Sequence, residues 1–541
     1  MRRMREWRRI FVTAAAFTFF VSCASQPPHR VVLSTDTDCA ATYAGATWNE
    51  QADPNSEVSR LQKVIHAEDH DPRVRGCWDT SVEHHADYDL YTVEFDDQGW
   101  LAGTSSEHAP DQTQLSLLMA DLNKLTRGRG DADARPLSVI VYTHGWHHTA
   151  APDDSNVIAF RRLLARASVV ERELCLSRRH GGATALQETP ATDCSENEAV
   201  EVWQKKRRVV GVYVGWRGDS AEGPLIEDFS IWDRKLAAES VALGSVQEFF
   251  ARMHSFYREH ECHTSAGKET DSSTLKDCAD VRMLTVGHSF GGLITYRALA
   301  PRLMLGISET APDEFNPDLR YAYGFGDLTI LINPAFEATR FEPLAEAAAA
   351  RPYLTPASGK SAQLPILIVA TSKTDRATGV AFPTFRWFST LFETAQGPEG
   401  RANLETVGWD SRYRTHSLHL VTTPDSCGTT KQTPLSQRLL AEAHWADQQR
   451  EARYAGFGAK TLELCDSLRL SQEPGWALKR PDFLPLWVIQ ADKEVIDGHN
   501  DFLDTNFVNF VRQVYYTILA EEDIVMRRRI SQAQSQAAPP R

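Results

Sequence analysis

The chain lacks several features that would quickly assign it to a class of protein. It has no surplus of basic residues: 58 Lys and Arg stand against 72 Asp and Glu, for a formal net charge of −14 at pH 7. Because nucleic-acid binding depends on a positively charged surface, this balance argues against a nucleic-acid partner. The sequence also has no internal repeat, and its 9 cysteines include no C-x-x-C pair of the kind that binds zinc.

The amino terminus has the features of an export signal. The basic stretch MRRMREWRR precedes the apolar run Ile10–Val21. This run is shorter than the roughly 20 residues that span a bilayer, but it suits the apolar part of a signal peptide. The tetrapeptide Phe20–Cys23 resembles a bacterial lipobox, in which the cysteine becomes lipidated after cleavage. We therefore expect a signal peptide over 1–22 and a lipid anchor on Cys23; ordinary secretion after cleavage near Ala24 is the alternative.

The other cysteines form sequential pairs. An even number of cysteines in an exported chain indicates disulfides. Each pair lies in a region that reads as loop or insertion, so we expect neighbours to be bonded. The expected pairs are Cys39–Cys77, Cys175–Cys194, Cys262–Cys278 and Cys427–Cys465. With the lipid anchor, they predict a protein of the bacterial cell envelope, on the periplasmic side of the outer membrane.

Continuous apolar runs alternate with helical patterns through the middle of the chain. Such runs are typical of strands buried on both faces, and their alternation with helices predicts a doubly wound, mostly parallel α/β sheet. Besides the run that begins at Val281, they are Ser138–Thr143, Arg208–Gly215, Leu328–Asn333, Pro365–Thr371 and Pro485–Gln490.

The flanking regions lack this alternation. Residues 23–88 have scattered Pro, Asp and Thr and little periodicity, which predicts an irregular arm. The sheet domain spans 89–520, and the polar, proline-tipped segment 521–541 is predicted to be disordered. Within the domain, residues 376–484 interrupt the strand rhythm, which predicts an insertion between the seventh and eighth strands.

The segment Val281–Ala300 joins a β-prone run to a helical pattern through the sequence GHSFG, residues 287–291. Glycines two before and two after Ser289 would let neighbouring backbone pass close to a sharp turn. The backbone N–H of Phe290 would face the same side as the Ser289 hydroxyl. A serine in such a turn is a candidate nucleophile, provided that a base takes its proton and donors stabilise the oxyanion.

This pattern resembles that of the α/β-hydrolases of the esterase/lipase kind, over about Tyr91–Leu519. The resemblance implies a nucleophile after the fifth strand, an acid after the sixth or seventh, and a histidine after the eighth. His499 follows the last apolar run and precedes the closing helix, so it is the candidate base. The alternative base is His416, with Asp410 nearby.

The acid must orient the imidazole and balance its positive charge. Some lipases carry an aspartate directly after the sixth strand, but Asn333 stands at that position here. Asp375, shortly after the seventh strand, is therefore the predicted acid. Glu337 is the alternative.

A second oxyanion donor is needed besides Phe290. The sequence His144-Gly145-Trp146 resembles the H-G-x turn of the family, in which the residue after the glycine donates its backbone N–H. Trp146 is therefore the predicted partner of Phe290. A metal site at the nearby histidines is not predicted, because acidic or cysteine ligands at zinc spacing are absent.

Together these residues imply a serine hydrolase that cleaves carboxylic esters through an acyl-enzyme on Ser289, with no cofactor. Its substrate would be an ester or a lipid-like small molecule, and its lipid would hold it to the membrane. Thioesterase, amidase and phospholipase activities stay open, because the same triad serves every acyl transfer. The rival from another class is a catalytically silent envelope protein that uses this fold to bind lipid or a partner.

Overall fold

The computed structural model describes most of the chain between residues 28 and 519. The described residues are 28–30, 39, 42–43, 54–69, 75–101, 113–127, 134–179, 194, 205–218, 227–260, 279–308, 311–312, 320–350, 364–389, 402–422, 425–430, 433–451, 459–473, 485–501, 503 and 505–519. The predicted signal peptide, Cys23, the predicted tail 521–541 and the predicted pair Cys262–Cys278 lie outside them.

Helices and strands alternate through the described chain. Helices occupy Pro54–Asp69, Arg75–Trp78, Gln114–Arg127, Ser155–Arg179, Glu227–Leu243, Val246–Glu259, Phe290–Ser308, Glu342–Ala350, Phe382–Ser389, Leu435–Glu451 and 505–519. The strands are β1 (Val82–His84), β2 (Tyr88–Phe95), β3 (Leu137–Thr143), β4 (Arg208–Trp216), β5 (Val281–His288), β6 (Ala311–Pro312), β7 (Arg320–Tyr321), β8 (Leu328–Ile332), β9 (Leu367–Ser372), β10 (His416–Leu420), β11 (Thr461–Glu463), β12 (Leu468–Gln472) and β13 (Leu486–Ala491). Within these described residues, no helix is both long enough and apolar enough to cross a membrane.

One sheet of 11 strands forms the centre, in the order β1-β2-β4-β3-β5-β8-β9-β13-β10-β12-β11. In this sheet every neighbouring pair from β2 to β10 is parallel, and the edge strands β1, β12 and β11 pair antiparallel. Strands β6 and β7 pair with each other in a separate antiparallel sheet. The predicted α/β class and mostly parallel sheet are confirmed.

The sheet is buried on both faces. Alternate residues of β3 belong to different apolar cores: Val139 and Val141 face one, and Ile140 and Tyr142 face the other. The first core includes side chains from Gln114–Arg127, Val246–Glu259 and Phe290–Ser308, and the second from Ser155–Arg179, Leu435–Glu451 and 505–519. Burial on both sides explains why the central strands read as continuous apolar runs.

Some described residues of the predicted irregular arm 23–88 form a helix that the sequence did not predict. Within the predicted arm 23–88, the helix Pro54–Asp69 packs Leu61 and Ile65 into a small core of their own. Arg30 is buried, and its guanidinium donates to Glu83 across 3.0 Å and to the carbonyl of Ala150 across 2.9 Å. Single buried polar contacts of this kind leave no periodic pattern in the sequence.

The predicted insertion 376–484 contributes three strands to the main sheet. β10 pairs parallel with β13, where His416 lies opposite Ile489, and β12 and β11 continue the sheet beyond it. The sequence did not predict these strands. They are short, and β10 reads HSLHL, with polar residues at positions that a buried strand usually fills with apolar ones.

Three of the predicted cysteine pairs lie within the described residues, and all three are bonded. They are Cys39–Cys77, Cys175–Cys194 and Cys427–Cys465. Disulfides form in oxidising compartments, so these bonds fit an exported protein.

Candidate active site

Ser289 occupies a sharp turn between β5 and the helix Phe290–Ser308. Its φ is 55°, in the left-handed region that non-glycine residues rarely adopt. Two backbone bonds hold this turn against the chain after β8: Ser289 N–H donates to the carbonyl of Ile332 across 3.0 Å, and Ala335 N–H donates to the carbonyl of Ser289 across 3.1 Å. Strained residues of this kind persist where the surrounding structure fixes them, often at functional sites.

The two glycines that flank Ser289 allow close packing around the turn. A Cβ on Gly287 would lie 2.7 Å from the Thr295 hydroxyl, and one on Gly291 would lie 2.2 Å from the carbonyl oxygen of Thr143. A side chain at Gly291 would therefore push the helix away from the end of β3. The G-x-S-x-G spacing is thus a packing requirement of this turn.

Ser289, His499 and Asp375 form a continuous hydrogen-bonded relay. His499 Nε2 lies 2.9 Å from Ser289 Oγ, and His499 Nδ1 lies 3.0 Å from Asp375 Oδ1. A carboxylate only accepts, so Nδ1 carries the proton and Nε2 is left to accept the hydroxyl. The three side chains meet because β5, β9 and β13 run parallel, which brings their carboxyl ends to one edge of the sheet; we call this the carboxyl edge.

Asp375 is held by its own turn as well as by His499. Its Oδ1 accepts the backbone N–H groups of Ala377 and Thr378 across 2.9 and 3.2 Å, and its Oδ2 accepts the Thr378 hydroxyl. Burial raises the pKa of Asp375, but the bonds from His499 and Thr378 favour the charged form and bring the net pKa below its ordinary value. The carboxylate is therefore ionised at neutral pH.

The main chain of His499 is fixed by groups on other strands. Gly498 has a φ of 81°, and its N–H donates to the Thr374 hydroxyl across 2.9 Å. The carbonyl oxygen of His499 accepts from Asn333 Nδ2 across 2.8 Å and from His288 Nε2 across 2.9 Å. Two donors thus set the position of the loop that carries the imidazole.

Asn333 links three parts of the carboxyl edge. It is fully buried directly after β8, with a φ of 45°. Its amide also donates to the carbonyl of Gly498 across 3.1 Å and accepts the N–H of Ser372, at the end of β9, across 2.9 Å. The sequence singles out this position only because it lacks an acid. An asparagine directly after an apolar strand is a signal that could have been used, because a buried amide needs hydrogen-bond partners at that edge of the sheet.

His288, the residue before Ser289, is a neutral donor. Because its Nε2 faces a carbonyl oxygen, that nitrogen carries the proton. Burial and the nearby His499 hold the pKa of His288 well below its ordinary value, so its ring stays uncharged. No pattern in the sequence indicates this contact.

The turn after β3 lies directly beside Ser289. A Cβ on Gly145 would lie 2.9 Å from Ser289 Cβ, so only glycine fits there. His144 Nδ1 donates to the carbonyl of Gly145 across 2.8 Å, and its Nε2 accepts the N–H of Trp216 across 3.0 Å. Burial lowers the pKa of His144 to about 4, which keeps the ring neutral and suited to both bonds. His144 therefore fixes the turn that presents Trp146.

Within the described residues, no acceptor binds the backbone N–H of either predicted oxyanion donor. Among the described residues, neither the backbone N–H of Trp146 nor that of Phe290 donates a hydrogen bond. Phe290 is the first residue of its helix, where N–H groups have no acceptor within the helix. Both groups are thus available to a substrate beside Ser289.

The alternative base has another environment. His416 is buried in β10, where its Nδ1 lies 2.8 Å from the Thr415 hydroxyl and its ring lies against Trp487. Burial lowers the pKa of His416 to about 3. Its proposed partner Asp410 is paired with Arg412 across 2.8 Å. In the described chain, His416 contacts neither Ser289 nor a carboxylate.

The alternative acid is part of a buried ion cluster. Glu337 pairs with Lys235 across 2.9 Å, with Arg340 across 2.7 Å and with Arg386 across 3.0 Å. Burial raises its pKa, but these cations outweigh burial and bring it to about 2. These contacts leave its carboxylate bonded to cations rather than to an imidazole.

Among the described residues, no group of three or more His, Cys, Asp or Glu side chains is placed to hold a metal ion. Two of the histidines after β3 have protein partners: His144 bonds to Trp216, and His148 lies 3.2 Å from Asp154.

Comparison with known proteins returned no relative: no family model matches the chain, and neither a curated protein nor a solved structure matches it. Its function must therefore be inferred from the arrangement of the site itself.

Proposed function

We propose that the chain is a serine hydrolase of the α/β-hydrolase kind, which cleaves carboxylic esters through an acyl-enzyme on Ser289. The observation that carries this proposal is the relay from Ser289 through His499 to Asp375, with contacts of 2.9 and 3.0 Å. The order of the three residues along the chain, serine then acid then histidine, is that of the α/β-hydrolases. The predicted insertion 376–484 would then be an addition to that fold, which extends the sheet beyond β13 with β10, β12 and β11.

The first half of the reaction forms the acyl-enzyme. Ser289 Oγ attacks the ester carbonyl carbon while His499 Nε2 takes its proton, and Asp375 balances the charge of the imidazolium. The carbonyl oxygen becomes an oxyanion, which the N–H groups of Trp146 and Phe290 stabilise. When the tetrahedral intermediate collapses, the C–O bond breaks and His499 returns the proton to the leaving alcohol.

The second half releases the acid. Water attacks the acyl carbon, His499 takes its proton, and the same two N–H groups stabilise the second oxyanion. The bond to Ser289 Oγ then breaks, and the serine regains its proton. No step needs a cofactor. The same steps would serve thioesters and amides, so the leaving group must be tested directly.

The proposal is tested by turnover of a short p-nitrophenyl ester and by labelling with a fluorophosphonate. The wild-type protein should hydrolyse the ester and be labelled at Ser289, and Ser289→Ala should lose both signals. Ser59→Ala, on an exposed face of the helix Pro54–Asp69, is the matched control and should behave as the wild type. Absence of both signals in the wild-type protein would favour the silent, ligand-binding alternative.

We also propose that the mature protein is lipidated on Cys23 and lies in the cell envelope, on the periplasmic side of the outer membrane. The three disulfides support an oxidising compartment. Mass spectrometry of the amino-terminal peptide from membrane fractions would show the lipid on Cys23 or an unmodified terminus near Ala24.

A further inference from the structure

Exposed apolar side chains are concentrated at the carboxyl edge of the sheet. Five large ones belong to three segments there: Trp100, Leu236, Leu243, Val380 and Trp387, with exposures from 52% to 68%. In the described chain, the other exposed large apolar side chains are Leu305, in the helix Phe290–Ser308, and Leu420, which ends β10 at the same edge but away from these three segments. Apolar side chains gathered on one surface indicate an interaction site, whereas scattered ones do not.

Trp100 is carried by the turn that follows β2. Asp96 shapes this turn by accepting the N–H groups of Gln98 and Trp100, each across 2.9 Å. The side chain of Trp100 is 68% exposed, the highest value among the large apolar residues. The turn therefore holds a large aromatic ring in solvent at the carboxyl end of β2.

The helix Glu227–Leu243 lies across the same edge. Arg234 pairs with Asp97 in the turn after β2 across 3.0 Å, and Ser245 N–H donates to the carbonyl of Gly99 across 2.6 Å. The helix buries its small residues Ala238, Val241 and Ala242. Leu236 and Leu243 are seven residues apart, about two turns, and share the opposite face, which is exposed.

The segment after Asp375 repeats this arrangement. The turn Ala377–Ala381 and the helix Phe382–Ser389 bury Phe382 but expose Val380 and Trp387, which are again seven residues apart. Since this segment begins at the candidate acid, its exposed face lies at the same edge as the relay.

Glu337 joins the two segments. Lys235 of the first and Arg386 of the second both pair with its carboxylate, across 2.9 and 3.0 Å. Buried ion pairs with several partners fix geometry, because each charge would be costly to leave unpaired. The exposed apolar faces of both segments are thus held in fixed positions relative to each other. With Trp100 we call them the apolar edge surface.

The amino-terminal chain also reaches the carboxyl edge. Glu94, near the end of β2, accepts the backbone N–H groups of His29 and Arg30, each across 2.9 Å. The Arg30 guanidinium donates to the carbonyl of Ala150, in the loop after β3. Cys23 lies seven residues before Arg30, so it can be at most about 25 Å from this point, at about 3.6 Å per residue.

From these observations, we propose that the apolar edge surface faces the lipid bilayer to which Cys23 is anchored. A lipid on Cys23 would hold Arg30, beside the carboxyl end of β2, within about 25 Å of the membrane. Tryptophan favours the interface between lipid and water, and leucine and valine gain from apolar surroundings there. The full chain has a net charge of −14, and removal of its basic start MRRMREWRR would make the mature protein more negative. Zwitterionic lipid is therefore the expected contact, since anionic lipid would repel the protein.

An active site oriented toward the bilayer indicates membrane lipids as the class of substrate. An active site that faces the bilayer at short range would take its esters from the membrane, with the acyl or alcohol part still in lipid. This step rests on the proposed function, whereas the orientation does not require activity.

The orientation is tested with the lipidated mature protein in phosphatidylcholine vesicles, with and without bromine on the acyl chains. Brominated lipid quenches only tryptophans that contact it, so wild-type fluorescence should fall. In the double variant Trp100→Phe with Trp387→Phe, the quenched part should shrink by about twofold or more, since both tryptophans of the apolar edge surface would be gone. Trp445→Phe is the matched control and should not change the quenching, because Trp445 is buried on the other face of the sheet.

Two results would overturn the orientation. One is equal quenching of the wild type and the double variant, which would mean that another surface meets the lipid. The other is a dimer in sedimentation that the double variant abolishes, because the surface would then be covered by a second copy. Ester turnover and its loss in Ser289→Ala are measured separately. A protein without ester turnover could still show the predicted quenching, and a protein with ester turnover could lack it, so the two proposals fail independently.

Discussion

The side-chain amide of Asn333 donates to the carbonyl oxygen of His499 across 2.8 Å. His288 donates to the same oxygen across 2.9 Å, and a carbonyl has two lone pairs, so both bonds can form together. Asn333 thus bonds to the main chain of His499, and the His288 ring also lies beside the His499 imidazole, with ring centroids 5.0 Å apart. The proposed base is thus positioned through its backbone, by residues on β5 and directly after β8.

Asn333→Asp should lower kcat for ester turnover by on the order of 100-fold, because small displacements of a catalytic group have effects of this size. The change keeps the shape of the side chain but replaces a donor by an acceptor that faces the carbonyls of Gly498 and His499. KM should change little, since Asn333 is fully buried. Steady-state kinetics and the rate of fluorophosphonate labelling measure both effects.

Asn509→Asp is the matched control for this variant. Asn509 is also buried, at 4% exposure, but it lies in the helix 505–519. It should keep wild-type kinetics even if its melting temperature falls. Wild-type kcat in Asn333→Asp would show that the backbone of His499 does not need this amide.

Asp375→Asn should lower kcat by on the order of 10⁴, the loss found for the equivalent change in a serine protease triad. The asparagine keeps the size of the side chain but cannot balance the charge of the imidazolium. Asp410→Asn should stay close to the wild type, because Asp410 pairs with Arg412. If Glu337→Gln were the damaging change instead, the acid would lie after β8 and the assignment of Asp375 would be wrong.

His499→Gln should lose activity to a similar extent, whereas His416→Gln should keep it. His416 is buried in β10, and burial lowers its pKa to about 3, so its ring is neutral. In the described chain it also has no contact with Ser289. Ester turnover at pH 8 compares the two variants directly. A loss of activity only in His416→Gln would move the base to β10.

The sequence predicts those parts of the molecule in which local pattern and structure coincide. Strands β3, β5 and β9 are buried at every residue and read as apolar runs, and Ser289 and Asp375 follow such runs. The bonds from Asn333 and His288 to His499 leave no such pattern, because they join distant positions through single atoms. β10 was missed for a related reason, since its polar residues His416 and Ser417 are buried and His416 bonds to the hydroxyl of the preceding Thr415.

Glu337 should make the free energy of unfolding depend on pH. Its pKa falls from an ordinary 4.5 to about 2 in the folded protein, so its contribution is complete above about pH 5 and is lost as the pH falls toward 2. That shift corresponds to on the order of 3 kcal/mol. Glu337→Gln should therefore reduce stability most at pH 7, and the difference from the wild type should shrink at pH 4 and again at pH 3.

Glu442→Gln provides the control for this trend. Glu442 is also buried and pairs with an arginine, Arg512 Nε lying 2.7 Å from its carboxylate, but burial raises its pKa. A raised pKa reverses the sign, because the folded state then binds the proton more readily than the unfolded state. Urea unfolding at the three pH values measures the free energy of unfolding of each variant. If Glu337→Gln lowered that free energy equally at all three, Glu337 would not be ionised among its cations as proposed.

Reduction of the disulfides should lower stability without removing ester turnover from protein that stays folded. The bonds close loops with sequence separations of 38, 19 and 38 residues. Loops of this size restrict the unfolded chain by about 3–4 kcal/mol each in the chain-entropy model. Cys465 lies at the turn between β11 and β12, where its N–H donates to Gln513 of the last described helix across 2.7 Å, and in the described chain it has no contact with the relay.

The double variant Cys427→Ser with Cys465→Ser should therefore lower the urea midpoint while kcat stays near the wild type. A large loss of kcat at an unchanged midpoint would mean instead that this edge of the sheet supports the loop of His499.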